Sequence, residues 1–210
     1  MIRIVLLLCV IMYCIIGSIT KESYTSKEIS STQIRNFKND KTKLMNFLLK
    51  EVVNVLKDNN IPYYLDCGTL LGCIRDNSLM KKDTDIDLTI HLSMWDNLKK
   101  IDFEKYGLIR TRVYDKKRGN LISVKTKYSN FYCDIYANPA FPLLTEKKLN
   151  NELYSIPVDP ELYLTQLYGN WKVPSGKHAD WPNLFYKNNR LITSDYSKNW
   201  DSKYKIMGSY

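Results

Sequence analysis

The strongest pattern along the chain is helical. Leu44, Met45, Leu48, Leu49, Val52, Val53 and Leu56 recur three or four residues apart, which gathers them on one stripe and predicts an amphipathic helix over about 41–58. Asn59-Asn60 and Pro62 end it. A short strand over Tyr63 to Asp66 then runs into the turn Cys67–Gly72, which opens a second helix reaching about Asp76. After the polar loop Asn77 to Thr84 the period changes to two. Asp85, Asp87, Thr89 and His91 share one face, and Ile86, Leu88 and Ile90 share the other. Ser93 is placed to cap a helix over Met94 to Lys100. Leu108–Tyr114 and Leu121–Tyr128, joined through Gly119, predict a hairpin, and Phe131 to Ala137 predicts a further strand. Asp159-Pro160-Glu161 starts a last helix, which Gly169 stops.

The flanks read differently. Arg3 precedes an apolar run from Ile4 to Ile16. About 13 residues suits a signal peptide and is short for a bilayer span, which takes roughly 20. Residues 1–19 are therefore expected to be a cleaved signal peptide or a type II signal anchor. Either directs the chain into the secretory pathway, to the ER/Golgi lumen as a single-pass membrane protein or to the outside. Residues 20–39 are polar and read as a stem or linker, and 40–210 as the folded domain. The tail beyond Trp171, rich in Trp, Tyr, Asn and Pro, is expected to wrap the domain irregularly. Cys67, Cys73 and Cys133 lack C-x-x-C spacing, so they indicate neither a zinc site nor a disulfide framework. One bridge or three small buried hydrophobes are both open.

Composition narrows the partners. With 44% hydrophobic residues in 210, the chain can bury a real core. Its formal net charge of +9 favours anionic partners without choosing among them. The lysines are scattered through loops and form no basic, aromatic-rich segment of the kind nucleic acid requires, so no nucleic-acid partner is expected.

The chemistry starts at Asp85-Ile86-Asp87. Two carboxylates two apart on a strand project together and repel unless a cation lies between them or one takes a proton. Hard oxygen ligands at that spacing suit Mg²⁺ or Mn²⁺; two solvated acids at a strand end are the plain alternative. Asp134 stands in an otherwise apolar strand, where an acid is costly unless paired or metal-bound. It fits a third metal ligand, a base toward an acceptor hydroxyl, or a buried acid with a basic partner. Gly68-Thr69 sits at a strand-to-helix turn, where N–H groups can meet a phosphate, although Gly68 also fits a simple turn. Lys82 can meet donor phosphate or face solvent. His91 shares the Asp87 face and reads mainly as a strand-end histidine.

In order, these motifs resemble the nucleotidyltransferase fold pattern: a Gly-Ser/Thr turn, an acid-hydrophobic-acid strand and a later acid. More narrowly, Tyr64-Leu65-Asp66-Cys67-Gly68-Thr69-Leu70-Leu71-Gly72-Cys73-Ile74-Arg75 followed by Asp83-Thr84-Asp85-Ile86-Asp87 is similar to the LicD family, which includes fukutin and fukutin-related protein. The likeness continues in Phe131–Tyr136, Ile156-Pro157-Val158 and Tyr163–Trp171. It implies an α+β fold with a nucleotidyltransferase-like mixed sheet flanked by helices. It further implies transfer of a phospho-alcohol from CDP-choline or CDP-ribitol to a glycan acceptor. Asp85, Asp87 and Asp134 would then hold the metal and carry catalysis, and Gly68, Thr69, Arg75 and Lys82 would meet the donor phosphate. The chain departs from the family at Lys81-Lys82-Asp83-Thr84, where Pro-Trp-Asp-Asp is usual, and that bears on donor choice. Two rival readings are a nucleotidyltransferase acting on a small molecule and a non-catalytic secreted glycan-binding protein that kept the fold.

Overall fold

The computed structural model describes residues 40–115, 120–127 and 129–174. The expected leader, the linker and the tail past 174 lie outside the described residues. Among the described residues no helix is long and apolar enough to cross a membrane.

Helix α1 spans Lys41–Asp58 and begins where the Asp40 carboxylate accepts the Lys43 backbone N–H at 3.1 Å. That bond satisfies one of the amides with no intrahelical acceptor. Its stripe of Met45, Leu48, Leu49, Val52, Val53 and Leu56 is buried. Asn60, at φ 54°, takes the left-handed position after the helix. Then come β1 (Tyr63–Leu65), α2 (Cys67–Arg75) and β2 (Asp85–His91). They are followed by α3 (Trp95–Lys100), β3 (Leu108–Tyr114), β4 (Asn120–Thr126) and β5 (Tyr132–Asn138). The hairpin β6 (Leu144–Leu149) and β7 (Glu152–Pro157) precedes α4 (Pro160–Tyr168).

The main sheet has the order β1-β2-β5-β4-β3. Only β2 and β5 run parallel, so the architecture is α+β with a mixed sheet. Helix α1 packs on β2, β4 and β5. One sheet face carries Ile86, Leu88, Ile90, Ile122, Val124, Cys133 and Ile135, all 0% exposed. Each such side chain removed from water contributes about 1.5–3 kcal/mol. Cys67, Cys73 and Cys133 are free and buried.

Three local features differ from the sequence expectation. Ser93 does not cap α3. His91 takes the cap of a 3₁₀ turn over Leu92–Met94, its Nδ1 accepting the Ser93 N–H at 3.2 Å, and α3 starts after that turn without a side-chain cap. A 3₁₀ turn over Phe103–Tyr106 was not foreseen. Nor was β6–β7, because Leu-Thr-Glu-Lys-Lys-Leu shows no apolar alternation. Its turn is nevertheless written in Asn150-Asn151, at φ 50° and 67°, the left-handed pair that a tight hairpin demands.

Candidate active site

Strand register assembles the site. Parallel pairing sets Asp87 opposite Asp134, and antiparallel pairing sets Asp134 opposite Ser123. Ser123 in turn faces Arg112 on β3. Directly opposed residues project to the same side, so one row across four strands reads Asp87, Asp134, Ser123, Arg112. This is the face away from the apolar set. Asp85 stands one step along the same face, opposite Tyr132.

The start of α2 fixes β2 in place. The Asp66 N–H donates to Asp87 O at 3.0 Å, and the Asp87 N–H donates to Thr69 Oγ1 at 2.9 Å. Asp66, 1% exposed, accepts from the Cys67 N–H at 2.7 Å, from Thr89 Oγ1 at 2.6 Å and from the Tyr163 hydroxyl at 2.6 Å. The buried carboxylate thereby joins β1, β2, α2 and α4. The Thr69 hydroxyl, 2% exposed, accepts from the strand that carries the paired acids.

The glycine face of α2 brings in a further acid. A Cβ on Gly72 would lie 2.6 Å from Ser78 O, and one on Gly68 would collide with Asp83 Oδ2. The two glycines let the loop after α2 lie flat on the helix, with Met80 over both. Asp83 then reaches the Asp85 side chain and hydrogen-bonds to it.

Burial and like charge act together here. Burial raises Asp87 well above the carboxylate range, and Asp85, Asp66, Asp83 and Asp134 each push it further. Burial pushes Asp83 up to about 6, helped by the hydrogen bond and the charge of Asp85; the Thr84 N–H and Lys41 oppose this. Asp134 is raised by burial and by Asp85, while nearby Ser123 and Arg112 hold it down. Asp66 is raised by burial against its three donors. Tyr136 and Tyr168 are both raised by burial first; Asp87 comes next for Tyr136, and Cys67 followed by Asp87 for Tyr168. They are aromatic walls of the same site.

The structure brings together Asp85, Asp87, Asp134, Gly68 and Thr69. Arg75 lies at the far end of α2, paired with Asp76 at 2.8 Å and touching Met80 Sδ at 3.4 Å. Lys82 is exposed. His91 is spent on its cap and on an edge contact with Phe141, ring centroids 6.0 Å apart. Sequence reasoning passed over Asp66, Asp83, Lys41 and Arg112 as site residues. Asp66 had a local signal, an acid directly before a helix start. Lys41 had none: its Nζ reaches Lys81 O at 3.1 Å only because the loop folds back onto α1.

Among the described residues, no three His, Cys, Asp or Glu side chains form a ready-made metal group. The donor set still fits a hard divalent cation. Asp134 Oδ1 is buried without a hydrogen-bond partner, and the Asp83 carboxyl lies against Asp85, where a cation would relieve the repulsion between two acids.

Residues 60–152 match the family model described as LicD/FKTN/FKRP, nucleotidyltransferase domain. The chain is 24% identical over 163 residues to an uncharacterised protein of Rickettsia typhi, covering 68% of this chain and 52% of that protein. It is 26% identical over 164 residues to an uncharacterised protein of Rickettsia prowazekii, covering 68% and 61%. It therefore spans about half to three fifths of the length of these relatives. Among solved structures, the lincomycin-bound lincosamide antibiotic adenylyltransferase LnuA superposes with a TM-score of 0.44 at 13% identity, over 61% of this chain and 88% of that one. ANT(2")-Ia in complex with adenylyl-2"-tobramycin does so with a TM-score of 0.44 at 15% identity, over 77% and 94%. The matched stretch contains Asp66, Asp83, Asp85, Asp87 and Asp134, so the similarity to the LicD nucleotidyltransferase domain lies on the whole acidic site.

Proposed function

We propose that the protein is a metal-dependent transferase that moves a phospho-alcohol, of the phosphocholine or ribitol-phosphate type, from a CDP-activated donor to a glycan in the secretory pathway. The similarity to the LicD domain supports a transferase of the phosphotransferase or nucleotidyltransferase kind. The observation that carries the reading is the crowding of Asp85, Asp87 and Asp134 on one sheet face, with Asp83 brought to them by the loop after α2 and Asp134 Oδ1 unpaired.

Asp85, Asp87 and Asp134 would hold Mg²⁺ or Mn²⁺, which when bound offsets the charge that grows on the bridging phosphate oxygens. The first-turn amides of Gly68 and Thr69 have no intrahelical acceptor and would face the donor phosphate. Thr69 and Asp66 hold the acid-bearing strand still, and this rigidity keeps the carboxylates oriented while charge shifts. The acceptor hydroxyl attacks the phosphorus that bears the alcohol. A new oxygen–phosphorus bond forms, the bond to CMP breaks, and the hydroxyl proton passes to a carboxylate. Asp134 Oδ1 has lone pairs to spare for that proton or for a third metal bond.

The test is a mass-spectrometric screen of CDP-choline, CDP-ribitol and related CDP-alcohols against a glycan panel with Mn²⁺. CMP release with one donor and mass gain on one glycan would name both substrates. A CMP adduct on an acceptor would mean nucleotidyl transfer instead. No turnover of any CDP-alcohol would overturn the proposal.

A further inference from the structure

The row of acids ends in a cation that regular strand geometry would have aimed elsewhere. On β3, Arg110 pairs with Val124, so in unbroken register Arg112 would pair with Ile122 and share the apolar side of the sheet. The register shifts between Arg110 and Arg112, and Arg112 pairs with Ser123 instead. One extra residue, Thr111, is absorbed there, its hydroxyl donating to Ser123 O at 3.1 Å. A bulge of this kind turns the following side chain to the other face. It separates two arginines that sequence spacing would have put together. Arg110 caps the apolar side, donating to Ile101 O and lying over Phe103 at 5.4 Å. Arg112 crosses to the acidic side.

There its guanidinium lies over the Tyr132 ring, 4.6 Å from the centroid, and Lys125 Nζ lies 5.7 Å from the same centroid. Tyr132 is the register partner of Asp85 and stands two residues before Asp134 on the same face. The platform therefore adjoins both carboxylates. Arg112 is exposed and Lys125 half-buried, and among the described residues neither has a carboxylate at ion-pair distance. A guanidinium stacked on an aromatic ring keeps its forked donors in one plane, preorganised for a bidentate anion.

We propose that Arg112, stacked on Tyr132 and seconded by Lys125, is the phosphate-binding side of this active site and receives a phosphate of the nucleotide donor opposite the acids. The inference rests on the proposed donor only for the identity of that phosphate. Acids alone repel a diphosphate, and a bound metal cancels only part of its charge. A cation facing the acids supplies the remainder and orients the group. Arg75, which is tied to Asp76, does not occupy that place.

The test is calorimetric binding of CDP, pyrophosphate and cytidine to the purified full chain with Mn²⁺, comparing wild type with Arg112→Gln, Arg112→Lys, Lys125→Gln and Asp87→Asn. Arg112→Gln is expected to weaken CDP and pyrophosphate about tenfold or more and to leave cytidine unchanged. Arg112→Lys should fall between, since it keeps charge and loses the fork; Lys125→Gln should lose less. The exposed position of Arg112 leaves the melting temperature unchanged. CDP binding that is lost in Asp87→Asn but intact in Arg112→Gln overturns this inference and leaves the transferase reading standing. Arg112-dependent binding of pyrophosphate without any binding of CDP upholds the inference and removes the cytidine donor. Failure of the wild type to bind either phosphate compound overturns both.

Discussion

The two faces of the main sheet are made by the same strands and obey opposite rules. Toward α1, Ile86, Leu88, Cys133, Ile135, Ile122 and Val124 form a dry surface in which every side chain adds to stability. On the other face, Asp87 and Asp134 are also nearly buried, each 8% exposed, yet they gain little from it. Burial raises both, and the charge of Asp85 pushes each further. One face stabilises the fold; the other is held against its own repulsion by hydrogen bonds from its neighbours. A buried acid cluster with unpaired oxygens costs stability that an apolar face would not, and perturbed groups of this kind gather at functional sites.

Substitutions on the two faces should therefore separate activity from stability. The largest effect is expected from Asp87→Asn, which should lower turnover by about 10³-fold or more, the scale of losing a principal electrostatic element. In metal-free protein it should leave the melting temperature unchanged or higher, because it removes a repelled charge; a marked loss of thermal stability would place Asp87 among the structural residues. Ile135→Ala on the opposite face should do the reverse. It is expected to cost about 2–5 kcal/mol in chemical denaturation, while the surviving folded protein keeps its metal and nucleotide affinity.

The smallest effect concerns Asp83. Its carboxyl is raised from 3.8 to about 6 in the folded protein, so between those values the folded state binds more protons than the unfolded one. The contribution to stability is then greatest below the unfolded value and falls as pH rises through about 6. Metal-free protein should lose a few degrees of melting temperature from this group between about pH 4 and pH 7. Asp83→Asn should flatten that slope, and Mn²⁺ should reverse it at neutral pH. A slope unchanged in Asp83→Asn would show that the group does not titrate there.

Much of this contrast was legible beforehand because it rests on period. The 3.6 spacing of α1 and the alternation of Asp85–His91 are local, and a strand with acids on one side and isoleucine or leucine on the other declares both faces. Caps were less legible. Asp159 starts its helix as expected, whereas the Asp40 cap of α1 was not read from the sequence and the His91 ring competed successfully with Ser93 for the turn before α3. The hairpin β6–β7 escaped because its packing against β1, rather than its own pattern, makes it a strand pair.

By itself the sequence determined the helix stripe, the paired acids on β2, the lone acid on β5 and the resemblance to the LicD family, since each is carried by residues near one another in the chain. Only the tertiary structure decided which of these meet. Parallel register set Asp87 beside Asp134 across 47 positions of sequence. Two glycines let a loop carry Asp83 into the cluster, and a one-residue bulge sent Arg112 to the acidic face and left Arg110 on the other. Register, close approach and bulges depend on contacts between segments remote in sequence, and no local pattern records them.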